Sequence, residues 1–203
     1  MDIVCSDLEG IFTPEIWITV AEITGIAELR LTTRDISDYD VLMKKRLAIL
    51  EKNNLKLRDI QAVIAEMEPL DGALEFLNWL RSLVQLIIVS DTYVEFAGPL
   101  MEKLDRPTLF CNTLSITPDG AISGYNLRQQ DGKQKVVLAL KALNYRVIAI
   151  GDSYNDITML QAADYGILYR PPKNVKAQYS KFPTASSYDE LKKQLLTAID
   201  RRI

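Results

Sequence analysis

The stretch Ile3-Val4-Cys5-Ser6-Asp7-Leu8-Glu9-Gly10 constrains this chain more than any other. A short apolar run, rich in β-branched residues and bounded by polar ones, reads as a buried strand over residues 2–7. It ends at a carboxylate, a second carboxylate follows two residues on, and Gly10 lets the backbone turn. In a parallel sheet, ligands bind beyond the C-terminal ends of the strands. A carboxylate there can hold Mg²⁺ or attack phosphorus, and two can divide the roles of nucleophile and general acid/base. Alone, Asp-x-Glu-Gly is a weak signal, because an acidic turn at any strand end has the same spelling.

Further along, strands and helices alternate, which implies an α/β fold with a doubly wound parallel sheet. Residues 15–24 read as a helix with Ile16, Val20 and Ile23 on one face and Gly25 as its stop. Residues 26–39 are mixed and polar, with a loop at Thr32-Thr33-Arg34-Asp35, and helices follow over 40–52 and 57–67. Residues 14–68 thus carry three helices and no strand. They are expected to form a helical cap inserted into a core of residues 1–13 and 69–203. A helix over 72–83 carries Leu74, Phe76, Leu77, Leu80 and Leu83, and an apolar strand over 85–89 ends at Ser90-Asp91-Thr92. After a helix over 94–104, two alternating runs, 109–117 and 121–128, flank Pro118-Asp119-Gly120 and read as a β-hairpin. A helix over 134–143 turns Val136, Val137, Leu140 and Leu143 inward, and a strand over 146–150 ends at Gly151-Asp152. A helix over 156–163, a strand over 165–169, a Pro-Pro loop and a helix over 188–200 complete the pattern.

The 203 residues suffice for one sizeable core with a small insert. A 48% hydrophobic, 25% charged composition is that of a globular protein, and a net charge of −3 weighs against a general nucleic-acid binder. Histidine is absent, which removes His-based triads and leaves acid/base work to carboxylates or lysine. Cys5 and Cys111 lie in strand-like runs and read as buried thiols of a reducing compartment. No signal peptide is visible, and no apolar run approaches the roughly 18 residues of a membrane span. The expectation is a soluble cytoplasmic protein with neither nucleic acid nor membrane as partner; a homodimer is compatible with it.

Three strand ends carry polar residues in chain order: Asp7 and Glu9, then Ser90-Asp91-Thr92, then Gly151-Asp152-Ser153-Tyr154-Asn155-Asp156. Right-handed crossovers put all three on one edge of the sheet. Clustered carboxylates repel one another and need a cation, and oxygen-only ligands favour Mg²⁺. A phosphoryl group also needs donors, which the Ser90 hydroxyl, backbone N–H groups around Asp91-Thr92 and a lysine, Lys133 or Lys135, can supply. Asp7 then becomes a nucleophile, and Glu9 protonates the leaving alkoxide before activating water or an alcohol. Asn155 is either a substrate-side amide or a turn residue. Arg46 sits at helical spacing with Leu42, Met43, Ile49 and Leu50, so it interrupts an apolar face; an arginine there needs an anion and suits bidentate carboxylate recognition. Trp17 and Trp79 read as core. A phospho-accepting signalling domain also places an aspartate at a strand end, but it needs an open acceptor site, which the helical insert argues against.

Together, Asp7-Leu8-Glu9-Gly10, Ser90-Asp91-Thr92, Lys133 and Gly151-Asp152-Ser153-Tyr154-Asn155-Asp156 resemble the four motifs of the haloacid dehalogenase (HAD) phosphotransferases. The resemblance spans almost the whole chain. Within that superfamily the sequence looks most like the phosphoserine phosphatases, in particular the ThrH type, described as a bifunctional phosphoserine phosphatase and phosphoserine:homoserine phosphotransferase. The resemblance implies a HAD-like Rossmannoid core and Mg²⁺ as cofactor. It implies Asp7 as nucleophile and Glu9 as acid/base with its main-chain carbonyl on the metal. Asp152 becomes a metal ligand, Asp156 a support for the metal or its waters, and Ser90 and Lys133 phosphate ligands. It further implies that Arg46 holds the substrate carboxylate, that Glu15 holds its amine, and that Met43 lines the pocket. Most members carry Asp two residues after the nucleophile and Ser-Gly-Gly in the second motif. Glu9 and Ser90-Asp91-Thr92 depart from both and fit the ThrH subgroup better, which leaves water or an alcohol such as homoserine as the acceptor.

Overall fold

The computed structural model describes residues 1–33, 35–36 and 38–200; of the polar loop expected at Thr32-Thr33-Arg34-Asp35, Arg34 lies outside the described residues. The chain opens with strand β1 (Asp2–Ser6), followed by four helices: α1 (Ile16–Thr24), α2 (Tyr39–Lys52), α3 (Leu57–Glu66) and α4 (Ala73–Leu83). Strand β2 (Gln85–Tyr93) and helix α5 (Val94–Lys103) lead to the hairpin of β3 (Leu109–Ile116) and β4 (Ile122–Asn126). Helix α6 (Gly132–Ala142), strand β5 (Arg146–Gly151), helix α7 (Ile157–Ala162) and strand β6 (Tyr165–Tyr169) come next. Helix α8 (Lys173–Gln178), strand β7 (Thr184–Ala185) and helix α9 (Tyr188–Asp200) close the chain.

The strands form one seven-stranded sheet in the order β4-β3-β2-β1-β5-β6-β7, parallel except for β4. From β1 the chain builds outward through β2, β3 and β4, then returns to lay β5, β6 and β7 on the other side. The order therefore reverses at β1, and a crevice opens beyond its C-terminal end, where such sheets bind ligands. Strand alternation divides the core between the two faces. Val4 of β1 and Ile148 and Ile150 of β5 pack with Phe76, Leu77 and Leu80 of α4 and Leu191 and Leu195 of α9. On the opposite face, Ile3, Cys5, Val147 and Ala149 pack with Val137 of α6, Met159 of α7 and Val175 of α8.

Helices α1 to α3 add no strand to the sheet and share the first of these cores through Val20, Met43, Leu50, Ile60 and Ile64. One of their polar attachments uses a carbonyl that a proline leaves free. Pro99 lies inside α5 and has no N–H to give the Glu95 carbonyl, its helical partner. Gln61 Nε2 of α3 donates to that carbonyl at 2.8 Å. Lys103 of α5 donates to the carbonyls of Ala65 and Met67, and Lys56 pairs with Asp119 of the hairpin turn at 3.0 Å.

Several expectations needed correction. Strand β2 does not stop at residue 89 but continues to Tyr93 through a register shift, so Ser90-Asp91-Thr92 lies in a bulged strand and not after it. Ile23 is exposed, because the buried stripe of α1 is Ile16, Trp17, Val20 and Ala21. Leu74, Leu83 and Leu143 are likewise exposed. The Pro-Pro loop contains α8 and β7, and the polar stretch after α1 contains a 3₁₀ turn, Ala27–Arg30; these are too short to leave a periodic signal. Cys5 and Cys111 are buried and unpaired, and burial pushes them up to about 12 and about 11. Among the described residues, no helix is long and apolar enough to cross a membrane.

Candidate active site

The ladder of β1 runs one residue past the strand: the Asp7 N–H donates to the Ile150 carbonyl at 3.0 Å. The side chain is fixed by the next peptide, with the Leu8 N–H donating to Asp7 Oδ1 at 2.8 Å. Two glycines then make room for the acids that follow β5. Gly10 has φ of +77°, and a Cβ there would stand 2.8 Å from Asp152 Oδ2. A Cβ on Gly151 would stand 2.3 Å from the Asp156 Cβ, closer than two carbons can approach. As a result Asp7, Asp152 and Asp156, all buried, offer carboxylate oxygens within 4.8 Å of one another.

These three acids are not equivalent. Asp156 Oδ2 accepts from the N–H groups of Asp152 and Ser153 at 2.9 and 3.1 Å, and its Oδ1 accepts from Lys133 Nζ at 2.7 Å. With both oxygens engaged, Asp156 braces the cluster. Lys133 Nζ also lies 2.9 Å from Asp7 Oδ1 and 3.7 Å from Asp91 Oδ2. Burial alone would depress the Lys133 ammonium, but Asp156, Asp7 and Asp91 outweigh it and hold it well above its ordinary value. Burial and the charges of Asp156 and Asp152 push Asp7 well up, against the pull of Lys133. Among the described residues, Lys133 is the ammonium that reaches this cluster, so three buried carboxylates face one positive charge. That imbalance and the all-oxygen donor set fit a divalent cation.

The cluster forms the floor of a cavity of about 90 Å³ whose roof comes from α1 and α2. Glu9 reaches up to the start of α1, where its Oε2 accepts from the Ile16 N–H at 2.9 Å, one of the donors a helix start leaves without an internal partner. Burial and the nearby Glu15 push Glu9 up to about 7, against the Ile16 N–H, Arg46 and Lys133. Arg46 is buried opposite. Its Nη2 donates to the Leu31 carbonyl at 2.8 Å, its Nη1 to the Met43 sulfur at 3.6 Å, and its guanidinium carbon lies 4.6 Å from the centre of the Trp17 ring.

Of the residues singled out in the sequence, Asp7, Glu9, Glu15, Arg46, Ser90, Asp91, Lys133, Asp152 and Asn155 line this cavity, and Asp156 lies directly beneath it. Asp91 and Asn155 meet each other, Nδ2 to Oδ2 at 3.0 Å, and Ser90 Oγ accepts from the Thr92 N–H at 3.2 Å. Met43 does not line the cavity: it is fully buried behind Arg46, because α2 turns Leu42 and Arg46 inward instead. Of the two lysines, Lys133 is in the cluster and Lys135 is exposed, two residues around the helix. Two roof residues carry no signal of their place in the sequence. Trp17 is core, as expected, but also lines the cavity, and Tyr39, which the sequence does not single out, lines it too. Tyr39 begins α2, where periodicity carries no information, and its hydroxyl meets that of Tyr93 at 2.6 Å.

A doubly wound sheet with an acidic cluster at the tip of its central strand and a helical roof is an arrangement suited to cation-assisted hydrolysis. The chain belongs to the haloacid dehalogenase-like hydrolases, whose family matches residues 13–164. It is 54% identical over 203 residues to phosphoserine phosphatase ThrH of Pseudomonas aeruginosa, covering 100% of this chain and 99% of that protein. A phosphoserine phosphatase of Pseudomonas syringae pv. tomato is also 54% identical over 203 residues, 100% of this chain and 86% of that one. Among solved structures, a phospho-aspartyl intermediate analogue of phosphoserine phosphatase superposes with a TM-score of 0.74 at 18% identity, covering 95% of this chain and 97% of the other. At that identity the likeness establishes the fold.

Proposed function

We propose that this protein is a Mg²⁺-dependent phosphoserine phosphatase that works through a phosphorylated Asp7. One observation carries the reading: a single small cavity has a buried carboxylate–lysine cluster at its floor and Arg46 with Glu15 at its roof. The floor suits a phosphate ester and the roof suits the carboxylate and ammonium of an amino acid. Full-length identity of 54% to proteins named phosphoserine phosphatase supports the same substrate.

The chemistry follows from the positions. Lys133 and the Ser90 hydroxyl draw charge from the phosphoryl oxygens while Asp7 attacks phosphorus, and the bond to the serine oxygen breaks. Glu9 gives its proton to that oxygen, then takes one from the water that attacks the phosphorylated Asp7, releasing phosphate and restoring the carboxylate. Asp7 and Asp152 would hold Mg²⁺ with the main-chain carbonyl of Glu9, and Asp156 keeps them in place. When bound, the ion supplies charge that offsets the cluster and polarises the phosphoryl oxygens. Residues 14–68 act as the cap that selects the substrate, since Glu15, Trp17, Tyr39 and Arg46 all come from them. The two free thiols accord with a reducing, cytoplasmic setting.

Phosphoserine incubated with the protein and Mg²⁺ should release phosphate, and release should cease on chelation; a protein that leaves phosphoserine intact overturns the reading. A second reading, transfer to an alcohol such as homoserine, draws on a groove of about 660 Å³ that adjoins the cavity and shares Ser90, Asp91, Lys133 and Asn155 with it. Added homoserine should then yield phosphohomoserine by mass spectrometry; free phosphate as the sole product removes that reading and leaves the hydrolase.

Glu9 also predicts the pH profile. With a value of about 7 it is protonated below neutrality, so phosphorylation of Asp7 should slow as pH rises through about 7. Glu9→Gln should cost roughly 10²–10⁴-fold in that step and flatten this limb, as read by single-turnover formation of phosphoenzyme. A limb that survives in Glu9→Gln assigns the titration to another group.

A further inference from the structure

We infer that Trp17 is a positioning residue for substrate selection: its indole face sets the plane of the Arg46 guanidinium and thereby makes the cavity selective for phosphate esters that carry a carboxylate. The inference rests on the reading of Arg46 as the carboxylate-binding group and adds the residue through which that group acts. Trp17 lines the cavity, and Arg46 lies over its ring with 4.6 Å between guanidinium carbon and ring centre. The indole cannot turn away, because Phe96 of α5 meets it edge-on at 5.8 Å and Tyr93 in turn meets Phe96 edge-on at 5.7 Å.

The other holds on Arg46 fix less. The Leu31 carbonyl takes one N–H of Nη2 and the Met43 sulfur takes one of Nη1 through a long, soft contact, while Nε has no hydrogen-bond partner among the described residues. A planar fork held at its tips by a carbonyl and a thioether can still rock about the line joining them. A flat π-surface beneath it removes that motion, and the cation–aromatic attraction is strongest for tryptophan. Bidentate recognition of a carboxylate depends on the orientation of the fork as much as on its charge. Position matters too: Trp17 directly follows Ile16, whose N–H holds Glu9, so the first turn of α1 sets both the proton-transfer group and the plane of the carboxylate-binding group.

The test compares O-phosphoserine with O-phosphoethanolamine, which keeps the ammonium and the ester but lacks the carboxylate. Selectivity is the ratio of the two kcat/KM values, measured on the Mg²⁺-loaded full chain. Trp17→Leu should lower this ratio about tenfold, mostly through KM for phosphoserine, and Trp17→Phe, which keeps a weaker π-face, about threefold. An unchanged ratio in Trp17→Phe, or equal losses on both substrates in Trp17→Leu, overturns the inference by reducing Trp17 to a packing residue. If Trp17→Leu fails to fold, Trp17→Phe decides alone. Arg46→Leu separates the two levels. If it leaves the ratio intact, the carboxylate-binding reading itself fails. If it collapses the ratio while the Trp17 variants do not, the inference about Trp17 alone fails.

Discussion

Asp7→Asn should abolish phosphate release from phosphoserine, with a loss of at least about 10⁴-fold in kcat/KM, because an amide cannot form the phosphorylated intermediate. The same change should stabilise the metal-free protein. Burial and the charges of Asp156 and Asp152 raise Asp7 well above its ordinary value, so the native state binds a proton more tightly there than the unfolded chain does. The contribution of Asp7 is therefore fully present below the unfolded value of about 3.9 and is lost as pH rises through the raised folded value. At pH 8, in a chelator, the wild type carries that cost and Asp7→Asn does not. Its melting temperature should be higher by roughly 3–6 °C, which corresponds to about 1–2 kcal/mol for a chain of this size. At pH 4 the two should converge. Calorimetry at both pH values checks this; a variant that melts lower than wild type at pH 8 would show that the Asp7–Lys133 contact outweighs the repulsion.

Lys133→Met should do the reverse and lose both stability and function. The ammonium touches Asp156 at 2.7 Å and Asp7 at 2.9 Å from a buried position at the cavity floor. Removing it leaves buried carboxylates without their counter-charge, which costs about 3–5 kcal/mol in comparable buried pairs. Denaturant unfolding at pH 7 should show that loss. Adding Asp156→Asn to Lys133→Met should recover a large part of it, because the two residues form one network. Activity should not return, since the phosphoryl oxygens still lack their ammonium donor. If the double variant is no more stable than Lys133→Met alone, the stabilising role of Lys133 lies in packing and not in charge.

Much of the site's floor was legible in the order of residues. Apolar runs of three or four residues that lead into Asp7, Ser90 and Gly151-Asp152 have one consistent arrangement: a parallel sheet with all three ends on one edge. The hairpin was legible for a similar local reason, the Pro118-Asp119-Gly120 turn between alternating runs. The division of labour among the acids came only through the family resemblance; the residues themselves do not spell it. Asp152 and Asp156 are four residues apart in one motif, yet Asp156 has both oxygens engaged by Lys133 and two peptide N–H groups. That depends on a tight 3₁₀ turn and on the gap left by Gly151, which are matters of ångströms and not of spelling. Likewise Lys133 and Lys135 are indistinguishable in a basic run, and the rotation of α6 turns Lys133 inward and leaves Lys135 exposed.

The roof shows the other limit. Arg46 was detectable because a charge on an apolar helix face is an anomaly that calls for a partner. Trp17 was not, since an aromatic residue on such a face looks like any other core residue. Its role comes from its neighbour Arg46, almost thirty residues away in sequence and 4.6 Å away in space. What the amino-acid order determined by itself was periodicity and chemistry: which longer segments are strands, in what order they come, and which acids stand near their C-terminal ends. What the tertiary structure alone decided was mutual orientation: which oxygen faces which proton, which lysine turns inward, and which ring lies beneath the guanidinium. Hydrophobic burial is non-directional and leaves its record in pattern. Hydrogen bonds and ion pairs depend on a few tenths of an ångström, which appear only once distant segments have packed.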